Sequence, residues 1–510
     1  MQASGSQSSF IGIDALFQYA GSGVQLFSGF VFYTISVRLF NTVDMGAIAI
    51  FIAIVGLFNI VFSFGLSTAS QHFTSYYLGK GDFPSVKKTI YRIIKYGLFL
   101  SLLGLLTLEI LAGEISLIFL HSDRFTILVR ILGVVLFGNV LFGILNGTIL
   151  GIQQFRLSAI ISIIIWITYY FGALGFAVLL RSIDTIVFGW LIGITLGVII
   201  ELMVLLSSVK KYLDGGGAPS SSRIVGYSFP ILLSGIISYG SAYADRFIVS
   251  GILNLSSLGI YNFSLLIAGA IGFMSIPFNN ILMPKFSEMF GRNEKERIGS
   301  TVGVSSTLLS YFYVPSALGI AALAPMILNL LSGGETYLPG AAPLRIIMFF
   351  TAIFITQNIL TQAIASVRRT KLFLYSSGFA LSTNVVLSMF LIPRYGLIGA
   401  AFGYSSVYPI TFVILYYFAK KESLIYFDVS GMLKVWGSAI LMFIVVDYAS
   451  DLIGFNVIYL PAYIILGAVV YVGLAKLMRI FKSENKDLIL SLFPSRFIFL
   501  RRLLYTFVLH

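Results

Sequence analysis

The sequence predicts an all-α polytopic membrane protein with fourteen transmembrane helices, arranged as two six-helix lobes followed by two further helices. Three observations lead to this fold class: the composition, a series of long apolar runs and a one-sided distribution of basic residues. The 510 residues are 58% hydrophobic and 10% charged, with a mean hydropathy of +0.96. A soluble globular protein carries about 25% charged residues. This composition therefore excludes a water-soluble enzyme and indicates a chain surrounded by lipid.

Fourteen apolar runs are long enough to cross a bilayer, which takes about 20 residues of helix. They do not alternate with a period of two, as the strands of a membrane barrel do. The N-terminal stretch MQASGSQSSF has no basic segment, so we expect the first span to be retained in the mature protein. The predicted spans are 10–37, 43–69, 92–112, 125–151, 157–180, 185–208, 226–252, 258–283, 300–324, 341–366, 371–392, 397–419, 431–450 and 457–479.

The basic residues are sorted almost entirely to one side of the predicted membrane. Of the 33 Lys and Arg residues, 26 fall in the even-numbered loops and the C-terminal tail, six fall in the odd-numbered loops, and Arg246 lies inside a span. Cytoplasmic loops carry the excess of Lys and Arg, so we predict a multi-pass protein of the cell membrane with both termini in the cytoplasm. The same bias accounts for much of the net charge of +13, and we expect no nucleic-acid partner.

A flexible linker divides the chain into two similar halves. The segment YLDGGGAPSSSR, residues 212–223, combines three Gly, one Pro and three Ser. At an offset of 213, LFNTVDMG (39–46) aligns with ILNLSSLG (252–259). Six spans precede the linker, so the halves would form a parallel repeat, an arrangement in which transporters bind substrate between the lobes. We predict an N-lobe at 1–211, a linker at 212–225, a C-lobe at 226–419 and two added helices at 420–480.

The C-terminal tail, residues 481–510, mixes basic and apolar residues. This pattern is typical of an amphipathic helix that lies on anionic lipid headgroups. With no cysteine and three histidines in the chain, we expect no metal cofactor other than a coupling Na⁺.

Charged residues inside spans are costly and are more often functional than surface charges. Asp14 is either a partner of a helix N-terminus or an ion-coupling site. Glu201 is either an ion-coupling residue or a side chain that reaches the interface. Asp245 and Arg246 are adjacent in span seven and are expected to face different neighbours rather than each other. Arg246 either receives a phosphate-bearing headgroup or neutralises a nearby carboxylate.

Uncharged polar residues in the spans either line a hydrated cavity or hydrogen-bond neighbouring helices. As substrate-binding candidates we add Gln18, Gln25, Asn59 and Gln357 to Arg246 and Asp245. Asn384 and Ser388 are four residues apart and share a helix face. With Asp245 they would form an oxygen-rich cation site, if spans seven and eleven are in contact.

Three segments resemble one known family. NVVLSMFLIPRYGLIGAAFGY (384–404), VRLFNTVDMGAIAIFIAIVGLFNIVFSFGLSTA (37–69) and DRFIVSGILNLSSLGIYNFSLL (245–266), the last followed by Pro284, are similar to polysaccharide-exporting flippases. These include O-antigen flippases and belong to the multidrug/oligosaccharidyl-lipid/polysaccharide (MOP) superfamily. The resemblance implies two six-helix lobes plus two helices, alternating access, a polyprenyl-linked oligosaccharide as substrate and an ion gradient as driver. The chain has no GxxxxGK[ST] nucleotide-binding motif.

Three other functions stay open at this point, and one of them is a non-transporting scaffold with the same fold. A Na⁺- or H⁺-coupled multidrug antiporter of the same superfamily would have the same fold, and Arg246 argues against it. A membrane-embedded glycan polymerase or ligase would need carboxylates on a large outer loop. The longest predicted outer loop, residues 324–341, carries only Glu335. We expect a transporter, not an enzyme, and a monomer.

Overall fold

The computed structural model describes residues 3–210, 212, 217–367, 371–422, 424–454 and 456–480. Within these ranges every regular element is helical. The first eight helices are α1 (Ala3–Leu39), α2 (Thr42–Ser63), α3 (Leu66–Gly79), α4 (Phe83–Leu120), α5 (Thr126–Gly151), α6 (Phe155–Leu180), α7 (Asp184–Val209) and α8 (Ser221–Ile252). The remaining helices are α9 (Leu255–Ala270), α10 (Ile276–Gly291), α11 (Lys295–Ala322), α12 (Ala324–Ser332), α13 (Ala341–Thr351), α14 (Phe354–Ser366), α15 (Lys371–Tyr395), α16 (Leu397–Ser405), α17 (Val407–Lys421), α18 (Val429–Ile453) and α19 (Leu460–Leu477).

The all-helical class and the number of membrane spans are confirmed. Among the described residues, fourteen helical stretches are long and apolar enough to cross a membrane. The largest difference is in the third span, predicted at 92–112 and observed as Phe83–Leu120. Helix α4 starts earlier because Asp82 caps it, accepting a hydrogen bond from the Ser85 backbone N–H at 3.1 Å. Pro84 also suits the first helical turn, where no backbone donor is needed.

The second span is shorter than predicted because the chain turns sharply after Ser63. Phe64 and Gly65 both adopt left-handed conformations, with φ of 49° and 68°. Two consecutive residues of this kind end α2, and α3 begins at Leu66. Residues 324–341, predicted as an outer loop, are also largely helical: they form α12 and the 3₁₀ turn Glu335–Gly340.

The chain forms two compact units, Met1–Gly259 and Ile260–His510. In the first unit, α5 packs against α4 and α7, and α6 packs against α1 and α7. Helix α8, which follows the linker, packs against α2, α3 and α4. In the second unit, α15 packs against α16 and α17, and α11 packs against α13, α14 and α18. The predicted lobe boundaries and the parallel repeat stay predictions.

The end of the linker is fastened to α4 within the first unit. Arg92 donates to the Pro219 carbonyl at 2.7 Å, and the Gly217 N–H donates to Ser85 Oγ at 3.1 Å. Because α8 begins at Ser221, the last five residues of the predicted linker are helical, not flexible. Residues 213–216 and the predicted tail helix, 481–510, lie outside the described residues.

Glycines allow α7 to lie directly against the backbone of α6. A Cβ atom at Gly189 would be 2.3 Å from Ala173 Cα, one at Gly193 would be 2.6 Å from Tyr169 Cα, and one at Gly197 would be 2.8 Å from Ile165 Cδ1. The three glycines are four residues apart and form one face of α7. Small residues at such spacing are typical of helix contacts in membranes.

We predict that Gly189→Ala destabilises the protein, because its methyl group cannot fit without separating α6 and α7. Overpacking costs about 1–3 kcal/mol. The thermal midpoint of the purified protein in detergent, measured by fluorescence-detected size exclusion, should fall. Gly175→Ala on α6 is the matched control, since a Cβ there meets nothing within 4 Å. Equal midpoints for the two variants would contradict the prediction.

Candidate functional site

Asp245 and Arg246 form an ion pair on α8. The Asp245 side chain is fully buried and that of Arg246 is 12% exposed, with 3.5 Å between Arg246 Nη1 and Asp245 Oδ1. The expectation that these neighbours cannot face each other is wrong. Helical side chains lean toward the N-terminus, and Arg246 bends back far enough for Nη1 to donate to the Ala242 carbonyl. This bend places the guanidinium beside the Asp245 carboxylate.

Two tyrosines extend this pair along α8. The Arg246 guanidinium lies over the Tyr243 ring, 4.2 Å from its centroid. The rings of Tyr239 and Tyr243 are stacked, with centroids 4.3 Å apart and 5° between their planes. Sequence reasoning missed both tyrosines. Their spacing was the available signal, since residues 239, 243 and 246 fall on one helix face.

Helix α2 holds Tyr239, the residue of this series that is furthest from Arg246. Tyr239 donates its hydroxyl hydrogen to the Ala53 carbonyl at 2.9 Å. A Cβ atom at Gly56 would be 2.2 Å from the Tyr239 hydroxyl oxygen, so the glycine leaves the space that the tyrosine occupies. Asn59 lies about one turn further along α2, and its Oδ1 is buried without a hydrogen-bond partner among the described residues. We call Tyr239, Tyr243, Asp245 and Arg246 the α8 row.

The α8 row combines a fixed cation with flat aromatic faces. A guanidinium over an aromatic ring is held by cation–π attraction, and it keeps donors for a carboxylate or phosphate. The row can therefore bind an anion at one end and a flat, partly apolar group beside it.

Glu201 forms a second polar cluster in the first unit, with Asn146 and Ser158. Its side chain has no solvent exposure. Oε1 accepts a hydrogen bond from Asn146 Nδ2 at 2.8 Å, and the same Nδ2 donates to Ser158 Oγ at 3.1 Å. The cluster joins α7, α5 and α6. The interpretation of Glu201 as a side chain that reaches the interface is wrong, because the carboxyl is directed at Asn146 in the bundle.

Asp14 and Gln18 both connect α1 to the first turn of α6. Arg156 Nε lies 2.5 Å from Asp14 Oδ1, and Gln18 Nε2 donates to the Phe155 carbonyl at 2.7 Å. Asp14 is not at a helix N-terminus, because α1 begins at Ala3, so the helix-dipole interpretation is wrong. Gln25, one of the substrate-binding candidates, is half-buried further along α1.

Asn384 and Ser388 share one face of α15, as predicted. Ser388 Oγ donates to Asn384 Oδ1 at 3.0 Å, and both side chains are fully buried. They lie where α16 packs closely, since a Cβ at Gly403 would be 2.2 Å from Ser388 Oγ. Their proposed cation site with Asp245 stays a prediction. Gln357 is half-buried on α14, and its Oε1 has no hydrogen-bond partner among the described residues.

An apolar cavity of about 560 Å³ lies between α11, α18 and α19 in the second unit. Its wall includes Pro315 and Gly319 of α11, Met442 of α18 and Gly467 of α19. The sequence did not predict it, because it depends on how α11 meets α18 and α19, which begin more than 100 residues after α11 ends. Its size and lining suit a hydrocarbon chain.

Residues 35–339 match the model of a family described as polysaccharide biosynthesis protein. A Haloferax volcanii protein described as a probable low-salt glycan biosynthesis flippase, Agl15, is 22% identical over 58% of this chain and 62% of its own length. A Bacillus subtilis protein described as a probable multidrug resistance protein, YpnP, is 23% identical over 43% of this chain and 50% of its own length. Each match thus spans less than two thirds of the relative.

Solved structures of transporters have the same fold. The lipid II flippase MurJ, in an inward closed conformation, superposes with a TM-score of 0.71 at 17% identity, over 92% of this chain and all of that chain. A multidrug resistance MATE transporter of the MOP superfamily, inward-facing, gives 0.67 at 11% identity, over 78% of this chain and 94% of that chain. At such identities the likeness concerns the fold. Because the family model covers more than half of the sequence, the chain belongs to the polysaccharide biosynthesis protein family, and its fold is that of the MOP-type transporters.

Proposed function

We propose that this protein is a flippase that moves a lipid-linked oligosaccharide of the polyprenyl-phosphate type from the cytoplasmic to the outer leaflet by alternating access. The observation that carries the proposal is the α8 row, in which one restrained arginine lies beside aromatic rings within an apolar bundle. The family, and the flippase Agl15 among its relatives, support the same substrate class. No step of this transport requires a covalent reaction by the protein.

The chemistry of the α8 row suits a sugar phosphate attached to a lipid. Charge-assisted hydrogen bonds from a guanidinium to phosphate are among the strongest in proteins. Asp245 restrains Arg246 and lowers the cost of a cation within the membrane. Tyr243 offers a ring face next to the guanidinium, where the apolar face of a sugar can pack. We propose Arg246, Asp245, Gln18, Gln25, Asn59 and Gln357 as substrate-binding residues, with Tyr243 added.

The lipid part of the substrate needs an apolar environment throughout transport. The cavity between α11, α18 and α19 offers one within the second unit, with a volume of about 560 Å³ and a mostly apolar lining. An isoprenoid chain in this cavity would keep its hydrophobic surface away from water. This cavity supports a lipid substrate over a small soluble cation.

An ion gradient is the proposed source of energy, with Na⁺ or H⁺ as the coupling ion. Candidate coupling residues are Asp14, Glu201, Asp245, Asn384 and Ser388. We propose that the protein resides in the cell membrane as a monomer with both termini in the cytoplasm, following the distribution of its basic loops. Anionic lipids would bind those loops and the tail at 481–510.

A multidrug antiporter is the second candidate. The relative YpnP and the MATE structures favour it. Arg246 opposes it, because a cation within the span repels cationic drugs and attracts anionic headgroups.

The two candidates are separated by translocation in proteoliposomes. A fluorescent polyprenyl-linked oligosaccharide and a soluble cationic dye are compared, each with and without an imposed Na⁺ or H⁺ gradient. We expect movement of the lipid-linked sugar alone, faster under the gradient of the coupling ion. Movement of the dye alone would identify an antiporter and overturn the flippase proposal.

Arg246→Ala is predicted to reduce transport strongly while the protein still folds. Loss of a hydrogen bond between charged groups costs about 2 kcal/mol, a roughly thirtyfold drop in apparent substrate affinity. Asp245→Asn should reduce transport similarly, whereas Arg246→Lys keeps the charge and should retain part of the activity. The readout is flipping of the labelled lipid at matched protein amounts.

The control for this series is Arg124→Ala. Arg124 pairs with Asp44 at 3.0 Å and is 63% exposed, and exposed ion pairs contribute little. Transport by the control should match the wild type. Normal transport by well-folded Arg246→Ala would remove the arginine from the substrate site.

Tyr243→Leu is predicted to weaken substrate binding, because it removes the ring that supports the guanidinium. The cation–π contribution is about 1 kcal/mol, equivalent to a roughly fivefold change. Tyr243→Phe keeps the ring and should behave as wild type in the same flipping assay. A loss of equal size in both variants would instead assign the effect to the tyrosine hydroxyl.

A further inference from the structure

Glu201 is an acid placed where its charge has almost no compensation. The side chain is fully buried. Oε1 accepts the hydrogen bond from Asn146, and Oε2 is buried without a hydrogen-bond partner among the described residues. One amide donor offsets only part of the free energy that a carboxylate loses when it leaves water.

No cation faces Glu201 from the helices packed around it, within the described residues. The facing polar group of α5 is Asn146 and that of α6 is Ser158. Arg156, two residues before Ser158, is paired with Asp14 of α1. On α7 itself, the other acid is Asp184, at the opposite end of the helix. The first half of α4 carries four basic residues, Lys87, Lys88, Arg92 and Lys95. Of these, Arg92 donates to the linker carbonyls of Ala218 and Pro219.

An apolar layer closes the next two turns of the bundle beyond Glu201. Leu205 and Val209 of α7 pack in one buried cluster with Val86 and Ile90 of α4 and with Leu145 and Ile152. Leu205 is one turn from Glu201, and Val209 is two turns away. Two turns of buried apolar side chains therefore separate the carboxyl from this end of the bundle. Ser208, next to Val209, is hydrogen-bonded to Gln154 at 3.3 Å.

We propose that Glu201, with Asn146 and Ser158, is a proton-binding site that takes up and releases one proton in each transport cycle. The sealed carboxyl is the neutral acid. When the packing of α5, α6 and α7 admits water, the O–H bond breaks, the proton passes to water, and the electron pair stays on the carboxylate. Asn146 then donates its hydrogen bond to the carboxylate, as it did to the neutral acid. This inference rests on the proposed flippase function and assigns H⁺ as its coupling ion.

The cluster favours a proton over Na⁺ because of what Asn146 presents to the carboxyl. The amide donates its N–H to Glu201, and a donor hydrogen repels a metal cation. Ser158 Oγ is likewise occupied by Asn146. A metal ion would need several oxygens converging on it, whereas a proton needs one. The arrangement of Glu201, Asn146 and Ser158 therefore suits a proton better than Na⁺.

The test is labelling of the full-length protein in lipid nanodiscs with dicyclohexylcarbodiimide, followed by peptide mass spectrometry. This apolar reagent accepts the proton of a neutral carboxylic acid on its nitrogen, and the carboxyl oxygen bonds to its central carbon. We expect Glu201 to be labelled at neutral pH. Labelling should fall about tenfold for each pH unit above the pH at which the proton leaves, and Na⁺ should have no effect.

Matched controls keep the result independent of any one variant. Glu201→Gln should abolish the label at position 201, while Glu109→Gln should leave labelling of Glu201 unchanged. Glu109 is 46% exposed and lies 3.3 Å from Arg130, whereas Glu201 is fully buried. The wild-type peptide map decides the question even if Glu201→Gln does not fold. Absence of label on Glu201 at every pH, or protection by Na⁺ at constant pH, would overturn the proposal.

A second measurement separates this inference from the function on which it rests. In proteoliposomes, Glu201→Gln should remove the acceleration of flipping by a pH gradient but leave binding of the lipid-linked sugar within about twofold of the wild type. If the wild-type protein moves no lipid-linked sugar and Glu201 is still labelled, the flippase proposal fails and the proton site stands. Gradient-driven flipping by Glu201→Gln equal to that of the wild type would reject the site.

Discussion

Lipid around the protein gives its helices no hydrophobic reason to associate, and the rest of the structure depends on this constraint. Helices must be held by close van der Waals contact and by polar groups that find partners within the bundle. The glycine face of α7 provides the first, because it brings α6 within backbone distance. The hydrogen bonds among Glu201, Asn146 and Ser158 provide the second. Both kinds of contact are made by α7.

Polar residues in the spans therefore serve two purposes that sequence alone does not separate. Gln18 and Asp14 bind the start of α6, and their contacts explain their presence as connections between helices. Asn384 and Ser388 are buried in a close helix contact. Arg246 differs from these residues, because its ion pair lies on its own helix and its guanidinium is supported by an aromatic ring. An arginine held in this way keeps hydrogen-bond donors that an anion can accept from.

Much of the fold could be predicted because it follows from local chemistry. Hydropathy defined fourteen spans, since a helix that crosses lipid must be long and apolar. What could not be predicted depends on contacts between distant residues: Asp14 and Arg156 are 142 positions apart, and Asn146 and Glu201 are 55 apart. The pairing of Asp245 with Arg246 was missed for another reason. The Cα–Cβ bonds of neighbouring helical residues diverge, but an arginine side chain is long enough to reach back to the residue before it.

The attachment of Tyr239 to α2 fixes the side chains of the α8 row before any ligand binds. The tyrosine hydroxyl is held by the Ala53 carbonyl, the ring of Tyr243 rests on that of Tyr239, and the guanidinium rests on Tyr243. Folding has therefore already removed most of the rotational freedom that an arginine side chain otherwise loses on binding. In the proposed flippase, affinity for the phosphate would then depend little on what else the substrate carries. One such site would accept chemically different sugars through their shared phosphate, and selectivity among glycans would come from other residues.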